Sequence, residues 1–260
     1  MARICPLCSG SGGNSTYISF GDGAILVDAG ASCKSLLESV AAVGSIDALR
    51  AVAITHEHTD HIKGLKTFLK KVKAPLIASS GTIAALEKAD VLPADVEVIV
   101  ADSEQIDLGG FAISRFATSH DTEGSSGYTL YDGNTKIAVC TDLGIVTDDV
   151  RVALSGNSAI LLESNHDVEM LKRGPYPPQL KLRILSERGH LSNNACAEEL
   201  PALLRGGTTR IILGHLSMHN NTPILAAAAA RAALADIGAK EGLDYILKVA
   251  KPCISEAVTV

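Results

Sequence analysis

Residues 56–61 read His56-Glu57-His58-Thr59-Asp60-His61, three imidazoles and two carboxylates within one short stretch. Imidazole and carboxylate are the groups that divalent zinc, manganese and iron accept as ligands. The stretch follows an apolar run at 51–55 and leads into helical periodicity from residue 62. On such a strand-to-helix turn the side chains can aim at one point. Desolvating that many polar groups without a partner would cost on the order of several kcal/mol, which a bound cation offsets. A single histidine would be read as a surface residue; the pattern His-x-His-x-Asp-His is read as a metal site. Glu57 faces the other side of the turn and is not expected to be a ligand.

The elements that must position this cluster are short. Apolar runs at 16–20, 24–27, 51–55, 76–78, 96–100, 111–116, 128–131, 137–140, 159–162 and 211–213 read as strands. Gly21-Asp22-Gly23 and Asp132-Gly133-Asn134 sit between neighbouring runs as hairpin turns. Helical periodicity covers 35–43, 62–72, 82–89, 193–204 and 223–235. This order predicts an α/β chain of the α+β type: two mainly antiparallel sheets face to face, helices outside, one domain over residues 1–260. A length of 260 residues, 47% hydrophobic and 20% charged, is enough for one substantial core. No apolar run is long enough to cross a bilayer and the first residues do not read as a signal peptide, so a cytoplasmic location is expected. The six cysteines, at 5, 8, 33, 140, 196 and 253, are then free thiols. Cys5-Pro6-Leu7-Cys8 is a lone CxxC without a second pair at zinc-ribbon spacing. A net charge of −6 leaves nucleic-acid binding to local basic patches.

The 56–61 stretch matches the signature of the metallo-β-lactamase fold superfamily, an αββα sandwich, and the chain resembles that superfamily from about residue 9 to 221. Val27-Asp28-Ala29-Gly30 resembles its first motif, whose aspartate supports the ligand loop from behind. Ser119-His120-Asp121, Cys140-Thr141-Asp142-Leu143-Gly144 and Gly214-His215-Leu216-Ser217 resemble the third, fourth and fifth. The resemblance implies two divalent cations, zinc foremost, with manganese or iron also suited. His56, His58 and His120 would hold one, Asp60, His61 and His215 the other, with Asp142 between them. It also implies hydrolysis by a hydroxide bridging the cations, without a protein nucleophile. His58 stands where the oxygen-reducing branch has Glu, which argues against redox chemistry. The 73 residues between Asp142 and His215 leave no room for the β-CASP insertion.

Four further stretches resemble the YycJ (WalJ) group: Ser9-Gly10-Ser11-Gly12-Gly13-Asn14, Glu163-Ser164-Asn165-His166-Asp167, Gly189-His190-Leu191-Ser192-Asn193, and His215-Leu216-Ser217 followed by Asn220-Asn221. Members of that group are 5′-to-3′ exonucleases on double-stranded DNA linked to mismatch repair, which implies a phosphodiesterase on DNA. One departure is Cys-Pro-Leu-Cys before Ser9, where the group has a plain apolar strand. The glycine-rich loop could hold a phosphate, with Ser11 and Asn14 as contacts. Lys63, Lys66, Lys70 and Lys73 recur at helical spacing as one basic face, and Lys172, Arg173, Lys181, Arg183 and Arg188 form a second basic region. His190 and His166, in polar turns, are candidates to give a proton to the leaving oxygen, beside Asp60 at the metals. The competing reading is a small-molecule ester, thioester or lactone hydrolase on the same centre. A non-catalytic module is disfavoured because no ligand is missing.

Overall fold

A computed structural model describes residues 1–102 and 105–260. β1 (Ala2–Cys8), β2 (Ser15–Phe20) and β3 (Gly23–Val27) form an antiparallel meander, turning at Gly21 with φ 55°, a conformation glycine adopts freely. Beyond β3 each strand of this sheet is reached through helix. α1 (Cys33–Val43), α2 (Thr59–Ile62) with α3 (Leu65–Val72), and α4 (Ser80–Lys88) therefore bring β4 (Leu49–Ala53), β5 (Leu76–Ala78) and β6 (Val98–Val100) in parallel.

The second half repeats the habit. β7 (Ile106–Asp107), β8 (Ala112–Ala117), β9 (Ser126–Tyr131) and β10 (Lys136–Cys140) pair antiparallel. β11 (Ala159–Glu163), β12 (Arg210–Gly214) and β13 (Ile246–Val249) then add in parallel. Their connections carry α5 (Asp148–Leu154), α6 (Val168–Arg173), α7 (Pro178–Ile184), α8 (Asn193–Arg205) and α9 (Pro223–Asp236). β14 (Val258–Thr259) returns to the outer side of β1. The strand orders are β14-β1-β2-β3-β4-β5-β6 and β13-β12-β11-β10-β9-β8-β7. Each sheet is thus mixed, antiparallel in one half and parallel in the other, where the sequence reading had mainly antiparallel pairing. The helices between runs explain the difference, because they are crossovers long enough to return the chain in the same direction.

The two sheets face each other across Ile4, Ile18, Ile25, Ile77, Leu130 and Leu161, all at most 3% exposed. Tyr128 on β9 spans the layer and donates to the Ile54 carbonyl at 2.7 Å. Outside the first sheet, Leu36, Leu65, Phe68 and Leu86 seal α1, α3 and α4 onto it; outside the second, Val150, Leu200 and Leu234 do the same for α5, α8 and α9. The result is the expected αββα sandwich. The helix read over 62–72 breaks at Gly64, whose N–H donates to Ala29 O at 2.9 Å and whose Cβ position would lie 2.2 Å from Ala31 O. The Cys-Pro-Leu-Cys departure is part of β1. Pro6 sits next to a bulge, and its carbonyl accepts from Ser255 N–H at 2.9 Å. Among the described residues, no helix is long and apolar enough to cross a membrane.

Candidate metal centre

Three of the site's residues stand just past strand ends with left-handed backbone: Asp28 after β3 (φ 64°), Asp142 after β10 (φ 61°) and His215 after β12 (φ 53°). Asp and His tolerate that region better than most side chains, and it turns each group back over the edge of the sandwich. The 56–61 turn is fastened from below by the 27–30 segment. Ala29 N–H donates to His61 O at 2.7 Å, and Gly30 lies so close that a Cβ there would fall 1.7 Å from Asp60 O. Asp28 accepts from Thr55 N–H at 2.8 Å and from His61 Nδ1 at 2.8 Å.

Such contacts decide which ring nitrogen faces the centre. A carboxylate or carbonyl only accepts, so its histidine partner carries the proton on the bonded nitrogen and presents the other as a lone pair. His61 is held by Asp28, His120 by Gly189 O at 3.0 Å and His215 by Glu163 Oε1 at 2.7 Å, each through Nδ1. His56 Nδ1 meets Thr55 Oγ1 at 3.0 Å, whose own hydroxyl is spent on Asp28. The Nε2 atoms of all four rings are left for the centre.

The first group is His56, His58 and His120. His58 Nδ1 lies 3.0 Å from His56 Nε2 and 3.3 Å from His120 Nε2. Two nitrogens each ~2.05 Å from a tetrahedral zinc would stand about 3.3 Å apart. The second group is Asp60, His61 and His215, with Asp60 Oδ2 3.6 Å from His61 Nε2 and 3.5 Å from His215 Nε2. Asp142 lies between the groups, 3.2 Å from His61 Nε2 through Oδ2 and 3.8 Å from His120 Nε2 through Oδ1.

Without cations this is a tense set of charges. Burial opposes a charged His61, but Asp142 and Asp28 outweigh it and raise its pKa to about 10. His215 is likewise raised, against burial, by Asp142. Asp142 is lowered despite full burial by His215 and His61, whereas burial, reinforced by His61, depresses His56. Asp142 Oδ2 and His215 Nε2 are buried and make no hydrogen bond. A nitrogen and oxygen donor set with orphaned lone pairs fits divalent cations, and they would take over the role these mutual charges play.

The residue that the sequence reading underrated is Glu163, at the end of β11 and fully buried. Oε1 accepts from His215 Nδ1 at 2.7 Å and His190 Nδ1 at 2.9 Å, while Oε2 accepts from Leu143 and Leu191 N–H. Burial disfavours its charge, yet His190 and the hydrogen bonds hold its pKa at about 2. Its motif was visible, but not its role, because only the pairing of Glu163 with Gly214 sets it beside His215.

All seven expected ligands converge, and His190 joins them, lining the cleft with Ser11, Tyr176 and Arg183. Other expectations need correction. His166 is 1% exposed with both ring nitrogens buried and without a hydrogen bond, so it cannot meet a substrate. Burial lowers its pKa to about 4. Asn14 is also buried and does not face substrate: its amide donates to Asp60 Oδ2 at 3.2 Å and Gly10 O at 3.1 Å, bracing the ligand turn. Lys66 is spent on Asp90, with Nζ 2.6 Å from its carbonyl and 3.0 Å from its carboxylate. Neither it nor Lys63 nor Lys70 lines the cleft. The second basic region does reach it: α7 forms a wall, and Arg183 holds Asp121 beside His58.

The metallo-beta-lactamase superfamily model matches residues 9–215. The chain belongs to that superfamily. It is 37% identical over 223 residues to the exodeoxyribonuclease YycJ of Bacillus anthracis, covering 85% of this chain and 84% of that protein. It is equally 37% identical over 224 residues to the exodeoxyribonuclease WalJ of Streptococcus pneumoniae serotype 2, covering 85% and 83%. Among solved structures, the metallo-beta-lactamase fold protein YhfI of Bacillus subtilis superposes with a TM-score of 0.72 at 18% identity, covering 99% of this chain and 98% of that one, a likeness of fold. The family makes this chain a metal-dependent hydrolase of a kind that typically binds two divalent metals.

Proposed function

We propose that the protein is a two-metal phosphodiesterase that degrades DNA from its ends, in the 5′-to-3′ direction that the resemblance to the YycJ (WalJ) group implies. The observation that carries this reading is the pair of ligand groups flanking Asp142, in a chain 37% identical to two proteins named exodeoxyribonucleases. His56, His58 and His120 would hold one cation and Asp60, His61 and His215 the other, with Asp142 shared. Two divalent cations there, zinc, manganese or iron by donor type, supply Lewis acidity toward the phosphodiester and its attacking water.

The chain's own groups do the rest. Asp28, Thr55, Gly189 and Glu163 take the Nδ1 protons of His61, His56, His120 and His215, so Nε2 of each ring faces the centre. There His61 and His215 would shed, on cation binding, the proton they hold in the metal-free protein. Glu163 also takes Nδ1–H of His190 and so fixes that half-buried ring, whose Nε2 would give a proton to the leaving oxygen from the imidazolium form. Asn14 keeps Asp60 turned toward the second group. Ser11 and Arg183 flank the reacting phosphate, and the basic region 172–188 gathers the strand.

End-labelled duplex DNA incubated with metal-loaded protein tests this reading, with a panel of thioesters and lactones alongside. Mononucleotides released from the 5′ end are expected. Turnover confined to the esters would overturn the nuclease assignment and favour the small-molecule reading.

A further inference from the structure

A second cavity lies beside the metal cleft and is larger, about 680 Å³ against about 210 Å³. Leu7, Leu216, Met218, Pro223, Pro252 and Ile254 give it mainly apolar walls. Among the described residues that line it, Glu38 is the one charged group; it is exposed and lies 3.9 Å from Lys34. Burial pushes the Cys8 thiol up to about 12, so that wall is neutral. An anion would meet no cation there. The cavity suits an uncharged, flat, largely apolar group.

Its position says where such a group would come from. Ser217 lines both spaces, and the glycine-rich loop is the partition, with Gly10, Gly12 and Gly13 facing the cavity and Ser11 the cleft. The loop is tied to the metal ligands from behind: Ser9 Oγ accepts from His215 N–H at 2.8 Å, and a Cβ on Gly10 would stand 3.0 Å from Leu216 O. The cleft is smaller than the ~300–1,000 Å³ of sites that enclose a whole small ligand, so it grips little beyond the reacting group. The neighbouring cavity falls inside that range. In a polynucleotide, the group one step from a phosphate is a nucleoside, whose base enzymes clasp between apolar or aromatic side chains. We infer that this cavity binds the base of the nucleotide next to the scissile phosphate. The inference rests on the phosphodiesterase reading and adds a strand-holding site to it.

The protein has no tryptophan, so Met218→Trp and Val152→Trp each carry a lone indole, excited selectively over the five tyrosines. Met218 is 69% exposed at the cavity, while Val152 is 75% exposed on α5 and outside its lining, so neither change disturbs the core. Metal-loaded protein is titrated with phosphorothioate hexathymidylate, a labelled copy reporting binding by anisotropy. In Met218→Trp the emission should fall about twofold as a base stacks on the indole. It should stay unchanged in Val152→Trp, and the drop should vanish when Ser35→Phe is added to fill the cavity. Binding by anisotropy with no quenching in Met218→Trp, or quenching that survives Ser35→Phe, overturns the base site alone. Absence of any binding overturns the DNA reading, and the base site with it.

Discussion

Glu163 shows why the ligands alone do not explain the site. One buried carboxylate orders two imidazoles and accepts two backbone N–H groups, so removing its charge loosens His215 and His190 together. Glu163→Gln is expected to lower metal affinity or turnover about 10- to 100-fold, measured by metal titration and steady-state rates. Its pH signature is equally specific. The folded pKa, about 2, lies below the ordinary 4.5, so its stabilising contribution is complete above 4.5 and is lost as pH falls through 2. Denaturant midpoints of the metal-free protein should therefore decline more steeply over that window than those of Glu163→Gln; parallel curves would mean that the charge stabilises nothing. His190→Ala should cut turnover while sparing metal content, since it is not one of the seven expected ligands; an unchanged rate would return it to a structural role.

At the scale of elements, the loops after β4, β8, β10 and β12 are what bring the ligands together, and the loop after β3 fastens the first of them. The motifs past those strand ends were legible in the sequence because strand, turn and ligand types coincide there. Gly30 is their hinge point: with 1.7 Å between a would-be Cβ and Asp60 O, Gly30→Ala must move the ligand turn. Loss of one metal equivalent in a chain that still folds is expected, read by metal analysis and circular dichroism. The parallel half of each sheet was harder to see, because a run such as 159–163, buried on every side, carries no alternation that reveals its direction. α5, α6 and α7 are too short for helical periodicity, and α7 proves to be a wall of the cleft. Helical spacing placed Lys63, Lys66 and Lys70 together but could not show Asp90 across from Lys66.

For the whole molecule, a net charge of −6 means that under the proposed function DNA would be drawn in locally. Of the basic region around α6 and α7, Arg183 lines the cleft, whereas the lysines of α2 and α3 do not. Charge reversal at Arg173 or Lys181 is therefore expected to weaken duplex binding several-fold and flatten its salt dependence, with Lys70→Glu changing it less. Filter binding across a salt series separates the two, and a larger effect from Lys70→Glu would shift the binding face to α3.

The central claim is that one sandwich edge holds two cations with Asp142 between them. Metal analysis of exhaustively dialysed, zinc-loaded protein tests it most directly. Two zinc ions per chain are expected, falling to one or none in Asp142→Ala. A single ion in the unaltered protein, or two retained by Asp142→Ala, would contradict it.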